Sequence, residues 1–444
     1  MATSYLPYDP QQQFLLPHAL QDWLPEGHLA YFIGDTVDLL DLSAFHARYA
    51  GGGPRNQPFN PAMMVKVMLY AYASGVFSSR KIARKLHEDV AFRVLGAGNF
   101  PKHRTICDFR ALHLDELGAL FVQVVKLARE CGLVKLGMIA VDGTKVKASA
   151  SRHKAMSHKR MVESEALLQA QIVELMNKAR QADAAEKDEP ELDIPAEIER
   201  REDRLKVIQA ARERLESRQR EADTAKGRSE GDERIPQDKD GKPKNKNGNR
   251  YGRDFGVPED SAQDNFTDPD SRIMKRAGGG FDQCYNGQTA VDAHTQIIIA
   301  AELTNCGADS GELPRMLAAV DTNLGENAGV VLADAGYRAE AVFCQLATHP
   351  TEVIVALGRE GRSAARIDAK KNPYTIGMAH KMTTPEAQAA YRRRKAIVEP
   401  PNAWIKHIIG FRQFSMRGLN KARAEWKLVC AALNLRRMSK LCAA

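Results

Sequence analysis

The chain has 444 residues, 43% of them hydrophobic and 27% charged, and none of its apolar runs approaches the roughly 20 residues that a membrane span needs. Lys and Arg number 64 against 56 acidic residues, a formal charge of +8 that favours a polyanionic partner such as nucleic acid. The seven cysteines stand singly, without CxxC or His-rich spacing, so neither a disulfide framework nor a zinc site is indicated, and MATSYLPYDPQQQFLLPHAL lacks the basic and apolar regions of a secretion signal, which makes the cytoplasm the expected compartment.

Residues 1–130 read as helical. HLAYFIGDTVDLL, PAMMVKVMLYAYASGVF, RKIARKLHEDVAFRVLG and TICDFRALHLDELGALFVQVVKLAREC each carry apolar residues at helical spacing, separated by Gly, Pro and Asn breaks. Ser78 and Ser79 suit the N-cap of the third helix and Thr105 that of the fourth, because a hydroxyl there accepts from a free first-turn amide. The turn GAGNFPKHR joins these two helices, with Lys102, Arg104 and Arg110 among the cations around it. A helix-turn-helix contacting DNA and a solvated basic face are equal readings of that pattern.

LGMIAVDGTKVKAS then reads as a buried strand continuing into an edge. From 151 the composition turns highly charged. Leu168, Ile172 and Leu175, and then Ile198, Leu205, Ile208 and Leu215, recur every three to four residues, predicting two long helices packed as an antiparallel hairpin. EKDEPELDIP contains their turn, with Asp193 at a helix start, and GKPKNKNGNRYGRDFG reads as a flexible basic loop. YNGQTAVDAHTQIIIAAELTN predicts two strands about a DAHT turn, GELPRMLAAVDTNLG a helix, AGVVLADAGY a buried strand ending in a loop, and EVIVAL another strand. PEAQAAYRRRKAIVEPPNAWIKHIIG begins as a helix that should kink at Pro400 and Pro401. The order describes an α+β chain whose sheet is interrupted by a helical insertion, with an all-α unit over 1–130, a core from 131–150 and 280–444, and the insertion over 151–279.

Three carboxylates stand out by position. Asp142 lies inside the first strand, Asp334 closes a buried strand before Gly336, and Glu399 follows Tyr391, Arg394 and Lys395 on the long helix. Phosphodiester chemistry on two divalent ions roughly 3.5–4 Å apart needs oxygen ligands on rigid neighbouring elements, and two strand ends with a helix supply such walls. Each acid alone reads equally as a turn residue or an ion-pair partner. Asp309 is the fallback for the second position. Asp292 and His294 read as turn residues, and Trp404 and Trp426 as core, with Trp404 also placed to lie beside DNA.

VDGTKV, LADAGY and YRRRKAIVEPPNAWIK, together with PKHRTICDFR and TNCGADSGELPRM, resemble in this order the DDE transposases of bacterial insertion sequences, in the branch with a YREK signature. The resemblance implies an RNase H-like fold behind a helical DNA-binding region, and it carries over Asp142, Asp334 and Glu399 as catalytic ligands of two Mg²⁺ ions, with Mn²⁺ as substitute. It implies cleavage at terminal inverted repeats and transfer into target DNA by a homodimer on DNA, nucleoid-associated when bound. Tyr391, Arg394, Lys395, Asn402 and Lys406 would face DNA, as would Lys102, Arg104 and Arg110. Four residues separate Arg394 from Glu399 where the signature has three, so the basic signature role falls to Arg394, Lys395 or both. An RNase H-fold nuclease without strand transfer and an inactive DNA-binding derivative are the alternatives.

Overall fold

The structure, a computed structural model, describes residues 19–49, 57–185, 194–230, 253–276, 278–358 and 368–442. The hairpin connector with Asp193 and most of the basic loop lie outside the described residues.

A 3₁₀ turn at Leu20–Trp23 leads into α1 (Leu29–Asp38), α2 (Ser43–Ala47), α3 (Pro61–Ala73), α4 (Ser79–Glu88), α5 (Val90–Gly96), α6 (His103–Leu112) and α7 (Leu114–Glu130). α3 starts cleanly because Asn60 accepts from the Ala62 amide and Pro61 occupies the first turn, where its missing N–H costs nothing. Two segments that read as single helices are broken. Asp89 leaves the helical region at the end of α4, and its carboxylate accepts from the Ala91 amide to start α5. His113, at φ −107° and ψ 41°, separates α6 from α7 and buries its ring against Phe45 and Phe109. Of the hydroxyls read as caps, Ser78 holds the N-cap position of α4 without a side-chain bond. Thr105 lies inside α6, whose N-cap is Lys102.

The chain continues through β1 (Met138–Lys147), β2 (Ala155–Ser157), α8 (His158–Ala185), α9 (Ile194–Ala225), β3 (Gln263–Asn265), β4 (Arg272–Lys275), β5 (Phe281–Asp292), β6 (Ile298–Thr304), α10 (Leu313–Leu324), β7 (Val330–Ala333), α11 (Glu340–Gln345) and β8 (Glu352–Val355). It ends in α12 (Pro373–Lys381), α13 (Pro385–Arg392), α14 (Arg394–Ala403), a π turn at Trp404–Ile408 and α15 (Leu419–Cys442). The main sheet runs β4-β5-β1-β7-β8, with β6 also on β5. β1 is antiparallel to β5 and parallel to β7, and β7 is parallel to β8, so the fold is a mixed sheet with helices, as the α+β reading anticipated. The hairpin turn comes after Asp292, whose carboxylate accepts from the amides of Leu136 and His294.

One hydrophobic core runs from α1 through the sheet to α15, so the N-terminal helices are continuous with it. α15 packs along α3 and α7 on one side and β6 on another. Trp426 is fully buried and closes on β5 at Gly287, where a Cβ would come within 2.7 Å of its ring. The insertion has its own small core of Met161, Leu168, Ile208, Ala211 and Leu215, closed at its base by the β2–β3 pair. Arg214 and Arg218 converge there on the buried Asp264 carboxylate, at 2.7 and 2.6 Å, compensating a charge that would be costly to bury unpaired.

Candidate active site

The parallel ladder between β1 and β7 ends at the pair Val141 and Ala333. The next residues are Asp142 and Asp334; β7 ends there while β1 continues to Lys147 against β5, so the register sets the two acids side by side where β7 leaves the sheet. Asp334 caps the following 3₁₀ turn, accepting from the Gly336 amide at 2.8 Å. Asp142 accepts from the Gly143 amide at 3.0 Å and from Asn402 Nδ2 at 3.4 Å. Burial raises the Asp142 pKa to about 6, with the negative charge of Asp334 adding to the shift. The Arg394 charge and the Gly143 amide oppose it.

Glu399 stands on α14, which packs over β1 and β5. Its side chain is exposed, on the face shared with Lys395, Asn402 and Lys406. Asn402 is the buried member of that face and is the one that touches Asp142. Lys406 is half-buried. Burial lowers its pKa, while the nearby Asp142 charge works to raise it. α14 runs through Pro400 and Pro401, and the irregularity comes one turn later, at the π turn. Pro400 has no N–H to give the Ala396 carbonyl, and Gln296 Nε2 donates to that oxygen instead, at 2.7 Å. Among the described residues, no three His, Cys, Asp or Glu side chains are gathered closely enough to hold an ion.

The two cations competing for the signature position differ. Arg394 is buried and near the Tyr391 ring, and its charge reaches Asp142. Lys395 is exposed. Lys102 and Arg104 are exposed beside α6, with Arg104 4.0 Å from Asp108. Arg110 corrects the sequence reading. It is buried, and its guanidinium donates to Tyr72, to the Phe77 carbonyl and to Ser415 at 2.9, 3.0 and 3.1 Å, so it is not presented to DNA. Glu425, also buried, completes this cluster by accepting from Tyr72, Ser415 and the Met416 amide. Trp404 is half-buried under the Arg437 guanidinium.

A second layer lies behind the aspartates. Asp309 accepts from Asn286 Nδ2 at 2.6 Å, Gln288 Nε2 at 2.7 Å and Lys145 Nζ at 3.2 Å, and Tyr337 donates to Gln288. Asn286 and Gln288 alternate along β5 in YNGQTAVD. Two fully buried amides on one face of a strand were the available signal of this layer, which sequence reasoning missed apart from Asp309.

Residues 18–112 match the family described as Transposase domain (DUF772), and residues 344–439 match that described as Transposase DDE domain. Both matches are to transposase domains, the second of the DDE type, and together they support a DDE-type insertion-sequence transposase. The N-terminal match covers α1 to α6. The second covers α14 with Arg394 and Glu399 and the π turn with Lys406, while both aspartates lie ahead of it. Neither a curated protein nor a solved structure matches the chain. Among its described residues no helix is long and apolar enough to cross a membrane.

Proposed function

We propose that this chain is a transposase that cuts DNA at the terminal inverted repeats of its element and joins the freed 3′ ends to target DNA, with Asp142, Asp334 and Glu399 as catalytic ligands of two Mg²⁺ ions in an RNase H-like core. The observation that carries the reading is the β1–β7 register, which sets Asp142, inside β1 beneath α14, next to Asp334 at the end of β7. The donor set fits hard divalent ions, being all carboxylate oxygen on a strand, a strand end and a helix. Such ions, when bound, activate the attacking oxygen and stabilise the departing one.

The chain's own groups supply the rest. Asp142 and Asp334 form a fixed floor. Glu399 comes from the exposed face of α14 and closes over that floor, with Asn402 releasing Asp142 Oδ2 as it does so. Arg394, from its buried position, moderates the negative charge of the floor before loading. Lys406, Lys395 and Tyr391 along this face, and Lys102 and Arg104 beside α6, hold backbone phosphates. The insertion over 151–279 extends the protein surface toward DNA or a second subunit of a DNA-bound homodimer. Its compartment is the cytoplasm, on the nucleoid.

The test is incubation of the purified protein with Mg²⁺ and a labelled duplex carrying the element's end. Cleavage with joined product supports the proposal, cleavage without joining marks a nuclease, and binding without cleavage marks an inactive derivative.

A further inference from the structure

Asp309 is not one of the three acids of the proposed triad, yet it is tied to them. Gly143, next to Asp142, has no side chain, and a Cβ there would lie 2.5 Å from both Asp309 Oδ1 and Gln288 Nε2 and 3.0 Å from Asn286 Oδ1. On the other flank, a Cβ on Gly336 would stand 2.9 Å from Asp334 Oδ1 and 3.6 Å from Asp309 Oδ2. Two glycines thus open the space through which Asp309 adjoins both Asp142 and Asp334.

The donors on Asp309 are arranged by register. Gly143 pairs with Gln288 and Lys145 with Asn286 across β1 and β5, so the lysine and both amides share one face of the sheet. Lys145 Nζ straddles the carboxylate, 3.2 and 3.4 Å from its two oxygens. Asn286 Nδ2 is committed to Asp309 and to the Cys306 carbonyl, which fixes its amide orientation. Its Oδ1 then faces the Gly143 gap, and this fully buried atom has no hydrogen-bond partner among the described residues. A buried acceptor left open beside an acidic group calls for a donor or a cation.

Resting on the two-ion reading above, we infer that Lys145 is a resident counter-cation of the cleft: it neutralises Asp309 while the site is empty and passes to a DNA phosphate when divalent ions and substrate arrive. Lysine suits an exchangeable role, since its compact ammonium sits on a flexible stem and makes no bidentate fork. Lys145 is partly exposed, with a side chain open enough to reach solvent. Lys147, two residues on, projects to the same side of β1 and pairs with Asp282. Asp309 in turn is a positioning residue. Its Oδ1 is held by two amides as well as Lys145, and its Oδ2, bonded among the described residues by Lys145 alone, is the oxygen released toward the ions.

The experiment is Mn²⁺ binding to the full chain without DNA, read by the electron paramagnetic signal of free Mn²⁺. Lys145→Met is expected to tighten binding roughly threefold to tenfold, because a cation competing for the acidic cleft is gone. Lys145→Arg should leave the affinity near that of the parent, and Asp309→Asn should weaken it. In a second measurement on a catalysis-free duplex with Ca²⁺, Lys145→Met should lower the logarithmic salt slope of DNA binding by about one unit. Unchanged or weaker Mn²⁺ binding in Lys145→Met, with the parent circular dichroism spectrum, overturns the inference. If Lys145→Met does not fold, Lys145→Gln takes its place under the same criteria. Asp142→Asn separates the two readings: loss of Mn²⁺ binding in that variant with no response to Lys145 sinks the counter-cation alone, whereas parental binding in Asp142→Asn sinks the two-ion site beneath it.

Discussion

The strand-borne and helix-borne halves of the site are held by different means. Asp142 and Asp334 leave a parallel ladder that is flanked by β5 and β8 and buried in the main core, so their separation is set by backbone hydrogen bonds. Glu399 rides on a ten-residue helix that begins at a break, contains two prolines and ends in a π turn. That helix is held on the sheet by side chains, through the burial of Ile397 and Val398 in the core and through bonds from Gln296 to the Ala396 carbonyl and from Asn402 to Asp142. In the proposed site the floor is set by ladder bonds and the third wall by side-chain packing, and Glu399 on the exposed face of α14 would complete it when ions and DNA are present.

The largest effects should come from the floor. Asp142→Asn and Asp334→Asn are each expected to lower Mg²⁺-dependent cleavage of a labelled end at least about a thousandfold, near 4 kcal/mol in barrier, with fold and DNA affinity retained. Glu399→Gln should be as damaging to cleavage. Near-normal cleavage by Asp334→Asn would mean that the shared register of β1 and β7 has no catalytic meaning, and the comparison of the two halves would lose its subject.

Next comes the clamp beyond the helix half. Ser415, in the loop that follows the π turn, is tied through Arg110, Tyr72 and Glu425 to α3 and α6. Removing the cation leaves a buried carboxylate without its partner charge, so Arg110→Met should cost about 3–5 kcal/mol in urea denaturation. For the protein that remains folded, the salt dependence of DNA binding should not change. A shallower slope at parental stability would return Arg110 to the DNA surface.

How much of this was legible depended on whether a residue's role is local. The β1 segment and the position of Asp142 could be read because an apolar run ending in Asp-Gly is a local pattern, and the hairpin about Asp292 is marked by its turn residues. The insertion stripes at Leu168, Ile172, Leu175, Ile208 and Leu215 were likewise legible from spacing alone, and all five are buried. What depends on distant partners was not. Arg110 sits among basic residues in sequence, and only the fold brings Tyr72 and Ser415 to it. The helix breaks at Asp89 and His113 were hidden because both flanks are good helix formers, and the decision rests on a cap and on ring packing against Phe45 and Phe109. Asp309 could be named as a fallback acid, but the amides of Asn286 and Gln288 that hold it come from β5 and were not foreseen.

A smaller effect tests the rigidity of the floor through its charge. In the folded protein the Asp142 carboxyl keeps its proton up to about 6, against an ordinary value of 3.8. The folded state therefore binds the proton more tightly than the unfolded chain. Stability contributed by this group is complete below pH 3.8 and is lost as the pH rises through about 6. Asp142→Asn does not titrate, so at pH 7 in chelator it should be more stable than the parent by up to about 3 kcal/mol, less whatever solvent screens. At pH 3 the two should coincide. A stabilisation that is equal at both pH values would trace to packing instead of charge.

The smallest effect should isolate the helix half. Gln296 turns the β5–β6 connection at φ +62°, and its side chain takes over the carbonyl that Pro400 leaves open. Gln296→Ala removes that bond and leaves the Ala396 carbonyl to water, at a cost of about 1 kcal/mol. The positive φ persists in this variant, so its strain is common to both proteins. Gln296→Gly would relieve that strain while losing the same bond. In hydrogen exchange, both variants should open the amides of 397–403 about fivefold faster, apart from the prolines, which carry none. The ladder amides of β1 and β7 should exchange at the parental rate. Glycine and alanine would differ only in global stability, with glycine the more stable where relief of the left-handed conformation exceeds its extra chain entropy. Faster exchange in β1 and β7 as well would show that α14 and the sheet open as one unit, and Glu399 would then be as firmly placed as the two aspartates.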